Sequence, residues 1–293
     1  MRESLGDRFF NWINITILAL VCVVTIFPLY YVFVISFTDP IEYAQKQGFV
    51  VFPEHWTIRS YEYLLSTPSF KNATWVSLFL STVGTGLSLI VTAALAYGLS
   101  RKRLQGRKAF LVLILFTILF NPGIIPPYLL VRDLGLINSV WSLIFPILTS
   151  GWYVLLMKSF FDSIPVELEE AGMIDGCNDA AIFCRIILPL SLPALAAFGL
   201  FYAVSYWNTF FNAVLYINDY TKWPLQLVLR NMLIESSTAV GGAVAAEMMS
   251  EAQIPAQTLK MAAVVIATFP ILLVYPFLQK HFNKGVMLGS VKG

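Results

Sequence analysis

The sequence DSIPVELEEAGMIDGCNDAAIFCRIILP occupies residues Asp162–Pro189 and has the most regular pattern of helix signals in the chain. Pro165 is suited to the first turn of a helix, where its missing N–H group removes no hydrogen bond. Gly176 can adopt a positive φ and reverse the chain after that helix. Asn178 or Asp179 can then cap a second helix. The stretch therefore predicts two short helices joined by a tight turn.

The first of these helices combines acidic and apolar side chains. Negative charge near a helix N-terminus is stabilised by the helix dipole, and the acidic residues are Glu167, Glu169 and Glu170. The apolar positions are too many for a loop surrounded by water, so we expect an apolar partner surface to cover them. These positions are Val166, Leu168, Ala171, Met173 and Ile174.

On both sides of this stretch the chain is strongly apolar. Its 293 residues are 58% hydrophobic and only 12% charged, and the mean hydropathy is +0.73. A soluble domain has about 25% charged residues, so the composition indicates an integral membrane protein in contact with lipid. The same composition excludes a disordered chain. The net charge is +2, and no basic cluster is interleaved with aromatic residues, so we expect no nucleic-acid partner.

Six segments are apolar enough to cross a bilayer, which takes about 20 residues. They are residues 12–37, 73–99, 109–131, 138–157, 189–217 and 259–279. Lys and Arg are densest between Arg101 and Lys108, and the positive-inside rule then places both termini and the loop 162–188 in the cytoplasm. We therefore expect an all-α integral membrane protein in which residues 1–293 form a single transmembrane domain.

The predicted spans lack the residues of an enzyme or an ion-coupled transporter. All 17 acidic residues fall outside them, whereas ionisable groups at membrane depth usually mark ion pathways. The chain has no phosphate-binding loop for ATP and no pattern of a catalytic nucleophile. Its three cysteines and two histidines have no metal-ligand spacing. We expect no catalytic residue and no metal or cofactor on this chain, so energy for transport would come from a partner.

The central stretch resembles the E-A-A-x3-G-x9-I-x-L-P signature of permease subunits of bacterial ABC importers. The matching positions are Glu170, Ala171, Gly176, Ile186, Leu188 and Pro189. Gly172 stands where the signature has its second Ala, a change that keeps a small residue but weakens a helix by about 1 kcal/mol. Asp175, directly before the glycine, matches the version found in sugar importers.

This resemblance implies the type I ABC importer permease fold, with a cytoplasmic coupling helix, in the bacterial inner membrane. With its six spans and its C-terminal residues 284–293, the chain is similar to MalG-type carbohydrate permeases, above all to their LplC/YtcP-like branch. It also resembles the smaller permease subunit of an alginate importer. The implied ATPase-coupling residues are Glu167, Glu170, Ala171, Gly172, Asp175, Gly176, Ile186, Leu188 and Pro189.

The resemblance also implies partners. They are a second permease that completes a heterodimer, two ATPase subunits, alike or different, that bind ATP and Mg²⁺, and an extracytoplasmic solute-binding protein. In MalG-type relatives the connection between the last two spans helps to evict sugar from the binding protein. By analogy, Gly241, Gly242 and Ala243 would contact that protein. The alternative is a loop that packs only on its own subunit.

The fifth span carries the aromatic and uncharged polar groups that sugars use for stacking and hydrogen bonding. The candidate pathway residues are Asn121 in the third span, just before Pro122, and Tyr202, Tyr206, Trp207, Asn208 and Asn212 in the fifth. The alternative is that the aromatics face lipid and the amides join helices. The resemblance implies a permease subunit that forms half of the translocation pathway for oligo- or polysaccharide and couples it to a separate ATPase by alternating access, and these residues of the fifth span are consistent with that function. A passive channel or membrane scaffold without ATPase coupling is the alternative function.

Overall fold

The computed structural model describes residues 5–234 and 255–290. Within those ranges all regular structure is helical, and extended pairing is limited to one isolated bridge between Thr38 and Trp56. The prediction of an all-α protein is therefore confirmed.

The α-helices are α1 (Leu5–Ser36), α2 (Pro40–Gln45), α3 (Arg59–Ser66), α4 (Pro68–Phe79), α5 (Thr85–Ser100), α6 (Arg107–Leu119), α7 (Ile125–Asp133), α8 (Gly151–Asp162), α9 (Val166–Ile174), α10 (Asp179–Ile182), α11 (Leu188–Leu190), α12 (Leu192–Trp207), α13 (Phe211–Tyr216), α14 (Leu225–Ile234) and α15 (Ala256–Ser290). The described residues also include π-helical segments at Leu80–Gly84 and Phe183–Ile187 and 3-10 segments at Val140–Leu143, Phe145–Ile147 and Tyr220–Lys222.

In the part of the chain that the structure describes, three helical stretches are each long and apolar enough to cross a membrane. They are Phe9–Ser36, Pro68–Ser100 and Ala256–Val274. These stretches correspond to the first, second and sixth segments predicted from the sequence. The second is continuous because α4, the π-helical segment Leu80–Gly84 and α5 follow one another without a break.

The third, fourth and fifth predicted segments are interrupted. Between α6 and α7, Pro122 lacks an N–H group and Gly123 has a φ of +79°, so the helix stops instead of continuing to residue 131. The segment 140–147, which contains the 3-10 turns Val140–Leu143 and Phe145–Ile147, meets α8 at an angle of 53°. Residues 179–190 meet α12 at 82°, and α12 itself ends at Trp207, before α13.

The described chain divides into two compact units. One contains the described residues up to Lys71 and those within 229–269, and the other contains residues 72–228 and the described residues from 270 onward. In the first unit, the end of α1 packs on the segment that follows α2 through the buried side chains of Val34, Ile35 and Val50.

A buried carboxylate organises the segment between α2 and α3. Glu42 is 6% exposed, and its oxygens accept hydrogen bonds of 2.9 Å from the backbone N–H groups of Glu54 and His55. The ammonium group of Lys46 bridges Glu42 and Glu54 at 2.9 and 2.8 Å. Burial alone raises the pKa of Glu42, but these partners outweigh burial and hold the pKa at about 2.

We expect this segment to lose stability as the pH falls from about 4.5, the ordinary value, towards 2. Because the folded-state pKa is lowered, the contribution is complete above about pH 4.5 and disappears as the pH falls through the folded-state value. Limited digestion of residues 46–58 with an acid-active protease measures the effect. Cleavage of a Glu42→Gln variant should vary much less with pH. Wild-type cleavage that stays constant over this range would contradict the prediction.

The core of the second unit lies where α5, α8, α10, the segment Phe183–Ile187 and α12 meet. Its buried members are Ala93, Ala96, Tyr97, Leu99, Val154, Met157, Phe161, Ile182, Ile187 and Phe198. Ile182 and Ile187 belong to the second half of the Asp162–Pro189 stretch. That stretch is therefore anchored in the same core as α5 and α8.

The contact between the second predicted span and α12 depends on the missing side chain of Gly84. This residue ends the π-helical segment, and a Cβ atom there would lie 2.8 Å from Cζ of Tyr206. Tyr206 is only 1% exposed, and its hydroxyl group shares a hydrogen bond of 2.9 Å with Ser88. The ring is therefore held in place and cannot give way to a larger residue.

Replacing Gly84 by Val should weaken this contact. Overpacking a well-filled core costs about 1–3 kcal/mol, so we expect a lower unfolding temperature and less protein in the membrane. Thermal unfolding of the purified protein in detergent measures the change. Gly86→Val is the matched control, because nothing lies within 4 Å of a Cβ atom at that position. Equal unfolding temperatures for the two variants would show that the ring tolerates a side chain at residue 84.

Candidate functional site

The Asp162–Pro189 stretch folds into the two short helices that the sequence predicts. Pro165 is the N-cap of α9, and Gly176 has a φ of +80° between α9 and α10. The side chain of Asn178, rather than that of Asp179, caps α10 by accepting a hydrogen bond of 2.8 Å from the N–H group of Ala181. The turn is therefore fixed by local backbone chemistry.

Gly172 lies against the other helix of the pair. A Cβ atom at this position would be 2.9 Å from Cδ1 of Ile186 and 3.4 Å from Cγ1 of Ile182. The space that the Ala of the signature would use is thus occupied by the end of the Ile186 side chain. This close packing explains how the glycine is accommodated at that position.

The opposite face of α9 is open. All five apolar positions of α9 named from the sequence are exposed, and Ile174 is exposed to 87%. Within the described residues, no apolar surface covers them. The remaining exposed residues of the predicted coupling set are Glu167, Glu170, Asp175, Gly176 and Pro189, whereas Ile186 and Leu188 are half-buried.

Glu169 differs from its acidic neighbours because its side chain is buried. It forms an ion pair with Arg101, the residue that follows α5. Burial lowers the pKa of the Arg101 guanidinium, but an arginine starts so far above neutrality that it remains charged. Neither residue was singled out as functional from the sequence.

Two more arginines of the 101–108 loop pair with the same stretch. Arg103 forms an ion pair with Asp179, and Arg107 lies 4.0 Å from Asp162 and donates a hydrogen bond of 2.7 Å to the carbonyl of Leu99. From the sequence, the charge of this loop indicated only the orientation of the chain in the membrane. Its charge complementarity with the acidic residues 162–179 was the signal that could have revealed the contact.

An open cavity of about 720 Å³ lies between the 101–107 loop and α9. It is bordered by charged groups of both signs, among them Arg101, Lys102, Glu167 and Glu170. The site is therefore a polar groove beside an exposed apolar face.

A second cavity, of about 660 Å³, brings together four of the six candidate pathway residues. They are Tyr202, Tyr206, Asn208 and Asn212. The two tyrosines are mostly buried. The Tyr202 hydroxyl shares a hydrogen bond of 2.7 Å with Thr92, in addition to the Tyr206 contact described above. They contribute to the wall of the cavity while also joining α12 to α5.

The other two candidates lie elsewhere. Trp207 is buried and does not border the cavity. Asn121 does not border it either, and its side chain accepts a hydrogen bond of 2.9 Å from the N–H group of Gly123. Asn121 therefore stabilises the break between α6 and α7.

Several polar residues that border this cavity were not singled out from the sequence. They are Thr117, Thr149, Ser150, Tyr153, Ser205 and Thr209. Hydroxyl groups in apolar segments usually bond to the preceding turn, so the sequence offers little to separate lining residues from ordinary ones. The predicted binding-protein contacts Gly241, Gly242 and Ala243 lie outside the described residues.

Comparison with known proteins connects this chain to transport. Residues 1–288 match the family described as "Binding-protein-dependent transport system inner membrane component". The chain is 46% identical to the protein LplC of Bacillus subtilis (strain 168) over 294 residues, which cover 100% of this chain and 98% of LplC. It is 45% identical to the polygalacturonan/rhamnogalacturonan transport system permease protein YtcP of the same organism, over 98% of this chain and 99% of YtcP.

A solved structure has the same fold. It is the crystal structure of a bacterial ABC transporter involved in the import of the acidic polysaccharide alginate. The TM-score is 0.86 at 31% sequence identity, and the match covers 96% of this chain and 99% of the matching chain.

Proposed function

This chain belongs to the family of binding-protein-dependent transport system inner membrane components, and we propose that it provides half of the translocation pathway of an ATP-driven importer for oligo- or polysaccharide. As a permease subunit it is not itself the enzyme, because ATP is hydrolysed by a separate subunit in this family. The observation that carries the proposal is the uncovered face of α9, which combines exposed apolar side chains with the acidic residues of the permease signature.

The α9–α10 pair is the contact for the ATPase. Its exposed apolar residues need a partner surface, since an apolar patch on a helix surface marks a protein interaction site. Glu167 and Glu170 present negative charge beside that patch and are available to a basic group of the partner. Closure of the ATPase dimer, driven by ATP and Mg²⁺ bound to it, moves this helix pair and reorients the pathway.

The cavity beside α12 is the substrate pathway. Its lining combines aromatic, hydroxyl and amide groups with the aliphatic side chains of Ile118, Pro146 and Ile147, and it includes no charged side chain among the described residues. Such a surface suits the faces and hydroxyl groups of sugars. Asn208 and Asn212 are the direct hydrogen-bonding candidates, and Tyr202 and Tyr206 shape the wall. If the carried sugar is acidic, as it is for the alginate importer, its charge is recognised by the binding protein, the second permease or the outer loops of this chain.

The chain crosses the inner membrane six times, with both termini and the α9–α10 pair in the cytoplasm. The interrupted fourth and fifth segments fit this topology, because helix breaks are tolerated at membrane depth where they line a cavity. The breaks at residues 148–150 and 208–210 both adjoin the cavity beside α12. The second permease and the solute-binding protein complete the assembly.

Purification of the tagged chain in mild detergent, followed by mass spectrometry, tests this function. We expect an ATPase, a second permease and a solute-binding protein in the same complex. The reconstituted complex should accumulate labelled oligosaccharide only when ATP is hydrolysed. Recovery of the chain without an ATPase, or sugar movement that is independent of ATP, would favour a passive channel or a scaffold instead.

The connection between α14 and α15 assists release of sugar from the binding protein. Replacing residues 239–246, which include Gly241, Gly242 and Ala243, by a shorter polar linker should lower the stimulation of ATP hydrolysis by the binding protein. Co-purification of the ATPase should persist, because the proposed ATPase contact lies on α9 and α10. Wild-type stimulation after this replacement would show that the segment is dispensable for release.

A further inference from the structure

Among the ion pairs of the 101–107 loop, the Arg101–Glu169 pair is set apart by its burial. The side chains of Arg101 and Glu169 are only 13% and 7% exposed, whereas those of Arg103 and Asp179 are 50% and 61% exposed. An exposed ion pair contributes little to stability, but removal of one partner from a buried pair leaves an uncompensated charge. The two pairs connect the same loop to the same helix pair and therefore offer a direct comparison.

The guanidinium of Arg101 is held in place by two residues of α5 in addition to Glu169. It lies over the ring of Tyr97, 4.6 Å from the centroid, and donates hydrogen bonds of 3.0 and 2.8 Å to the hydroxyl oxygen of Ser100. Tyr97 and Ser100 both belong to the last turn of α5. The guanidinium is therefore fixed relative to the C-terminal end of α5.

Glu169 lies in the middle of α9, and its carboxylate faces inward while Glu167 and Glu170 face outward. A force applied to the outer face of α9 thus reaches Arg101 through one short side chain. From Arg101 it reaches α5, whose residues Ala93, Ala96 and Leu99 pack in the common core with α8. The more distant part of α5 bonds to the cavity wall through the Ser88–Tyr206 contact.

We propose that the Arg101–Glu169 pair is a latch, an ion pair that makes α9 and α5 move as one body. Through this latch, Arg101 and Glu169 act as positioning residues that transmit ATPase closure from α9 to the pathway. The role in transmission rests on the proposed function, in which α9 contacts the ATPase. The existence of the latch does not, because it is a property of this chain alone. Arg101 and Glu169, which both lie outside the permease signature, thus connect the signature helix α9 to α5.

Hydrogen exchange of the purified complex tests the latch. In Glu169→Gln, which keeps the size of the side chain and removes its charge, the amides of residues 166–174 should exchange at least about tenfold faster than in the wild type. Arg103→Gln is the matched control, since it breaks the exposed pair of the same loop and should change this exchange less than about twofold. The double variant Arg101→Glu with Glu169→Arg should recover part of the protection, because it restores opposite charges but not the contacts of the Arg101 guanidinium with Tyr97 and Ser100.

Addition of MgATP to the same complexes tests transmission. In the wild type we expect exchange to change both in α9 and in residues 97–104. In Glu169→Gln the change in residues 97–104 should fall at least about fivefold, while the ATPase still co-purifies and still alters α9. An unchanged response in residues 97–104, or unchanged basal exchange of α9, overturns the latch. Loss of the ATPase from Glu169→Gln also overturns it, because Glu169 would then bind the ATPase.

Different results contradict the transmission of ATPase closure and the attachment of α9 to α5. A wild-type chain that captures no ATPase contradicts the proposed function and, with it, transmission. The basal exchange of α9 in Glu169→Gln and Arg103→Gln still decides whether the buried pair holds α9 against α5.

Discussion

Replacing Gly176 by Val is expected to abolish sugar uptake while the chain still enters the membrane. The φ of +80° at this residue is strongly disfavoured for a β-branched side chain. A strained backbone of this kind costs about 1–3 kcal/mol, and here the chain can relieve the strain by opening the turn between α9 and α10. The proposed ATPase contact would then lose its shape. Uptake of labelled oligosaccharide by membrane vesicles, normalised to the amount of chain present, measures the effect.

Gly176→Asn separates backbone conformation from side-chain volume. No atom lies within 4 Å of a Cβ atom at residue 176, so space is not limiting. Asn adopts a positive φ more readily than other residues with a side chain, and we expect it to retain a substantial part of the uptake. Full uptake by Gly176→Val would remove this turn from the mechanism, and equal loss in both variants would mean that any side chain here blocks the partner.

Exchanging Glu170 for Lys is expected to release the ATPase. Glu170 is exposed on α9 beside the uncovered apolar residues, so its carboxylate is free to meet a basic group of the partner. Truncating one partner of a buried charge pair at an interface costs about 2–5 kcal/mol, which lowers affinity by roughly thirtyfold or more. Charge reversal adds repulsion to that loss. The ATPase recovered per permease in a pull-down experiment is the measurement.

Glu62→Lys is the control for Glu170→Lys, because it makes the same change of charge at an exposed position on α3, in the other compact unit. The control should retain the ATPase at the wild-type level. If Glu170→Lys also retains it and transport stays coupled to ATP hydrolysis, Glu170 does not contribute to the ATPase contact.

The structural features that could be predicted from the sequence were those that depend on residues close together in the chain. The turn at Gly176 and the cap at Asn178 depend on residues within a few positions of each other, and both adopt the expected geometry. The break after Trp207 was not predicted, because Asn208 and Thr209 carry neither a proline ring nor a glycine. It is recognisable only in the structure, where the N–H group of Asn208 closes the last turn of α12 on the carbonyl of Val204 at 3.0 Å.

Features that depend on distant residues could not be predicted in the same way. Arg101 and Glu169 are far apart in sequence, and only packing brings the two charges together. Tyr206 was expected to line the pathway because of its residue type, yet most of its ring is covered through the contact with Gly84. A glycine inside an apolar segment gives no sign of which side chain will fill the space beside it.

The π-helical turn at Leu80–Gly84 has a consequence for how this chain can vary during evolution. An i→i+5 turn holds one residue more than an α-helical turn, so losing a single codon there could leave an unbroken α-helix that still spans the membrane. The residues on both sides of the turn would then keep their faces, and Ser88 and Thr92 would still reach Tyr206 and Tyr202, which they now contact. The same deletion inside α12, which has no extra residue to absorb it, would rotate every later residue of that helix by about 100° around the axis. A change in length by one residue is therefore tolerated at Leu80–Gly84 far better than inside a regular helix that contacts it.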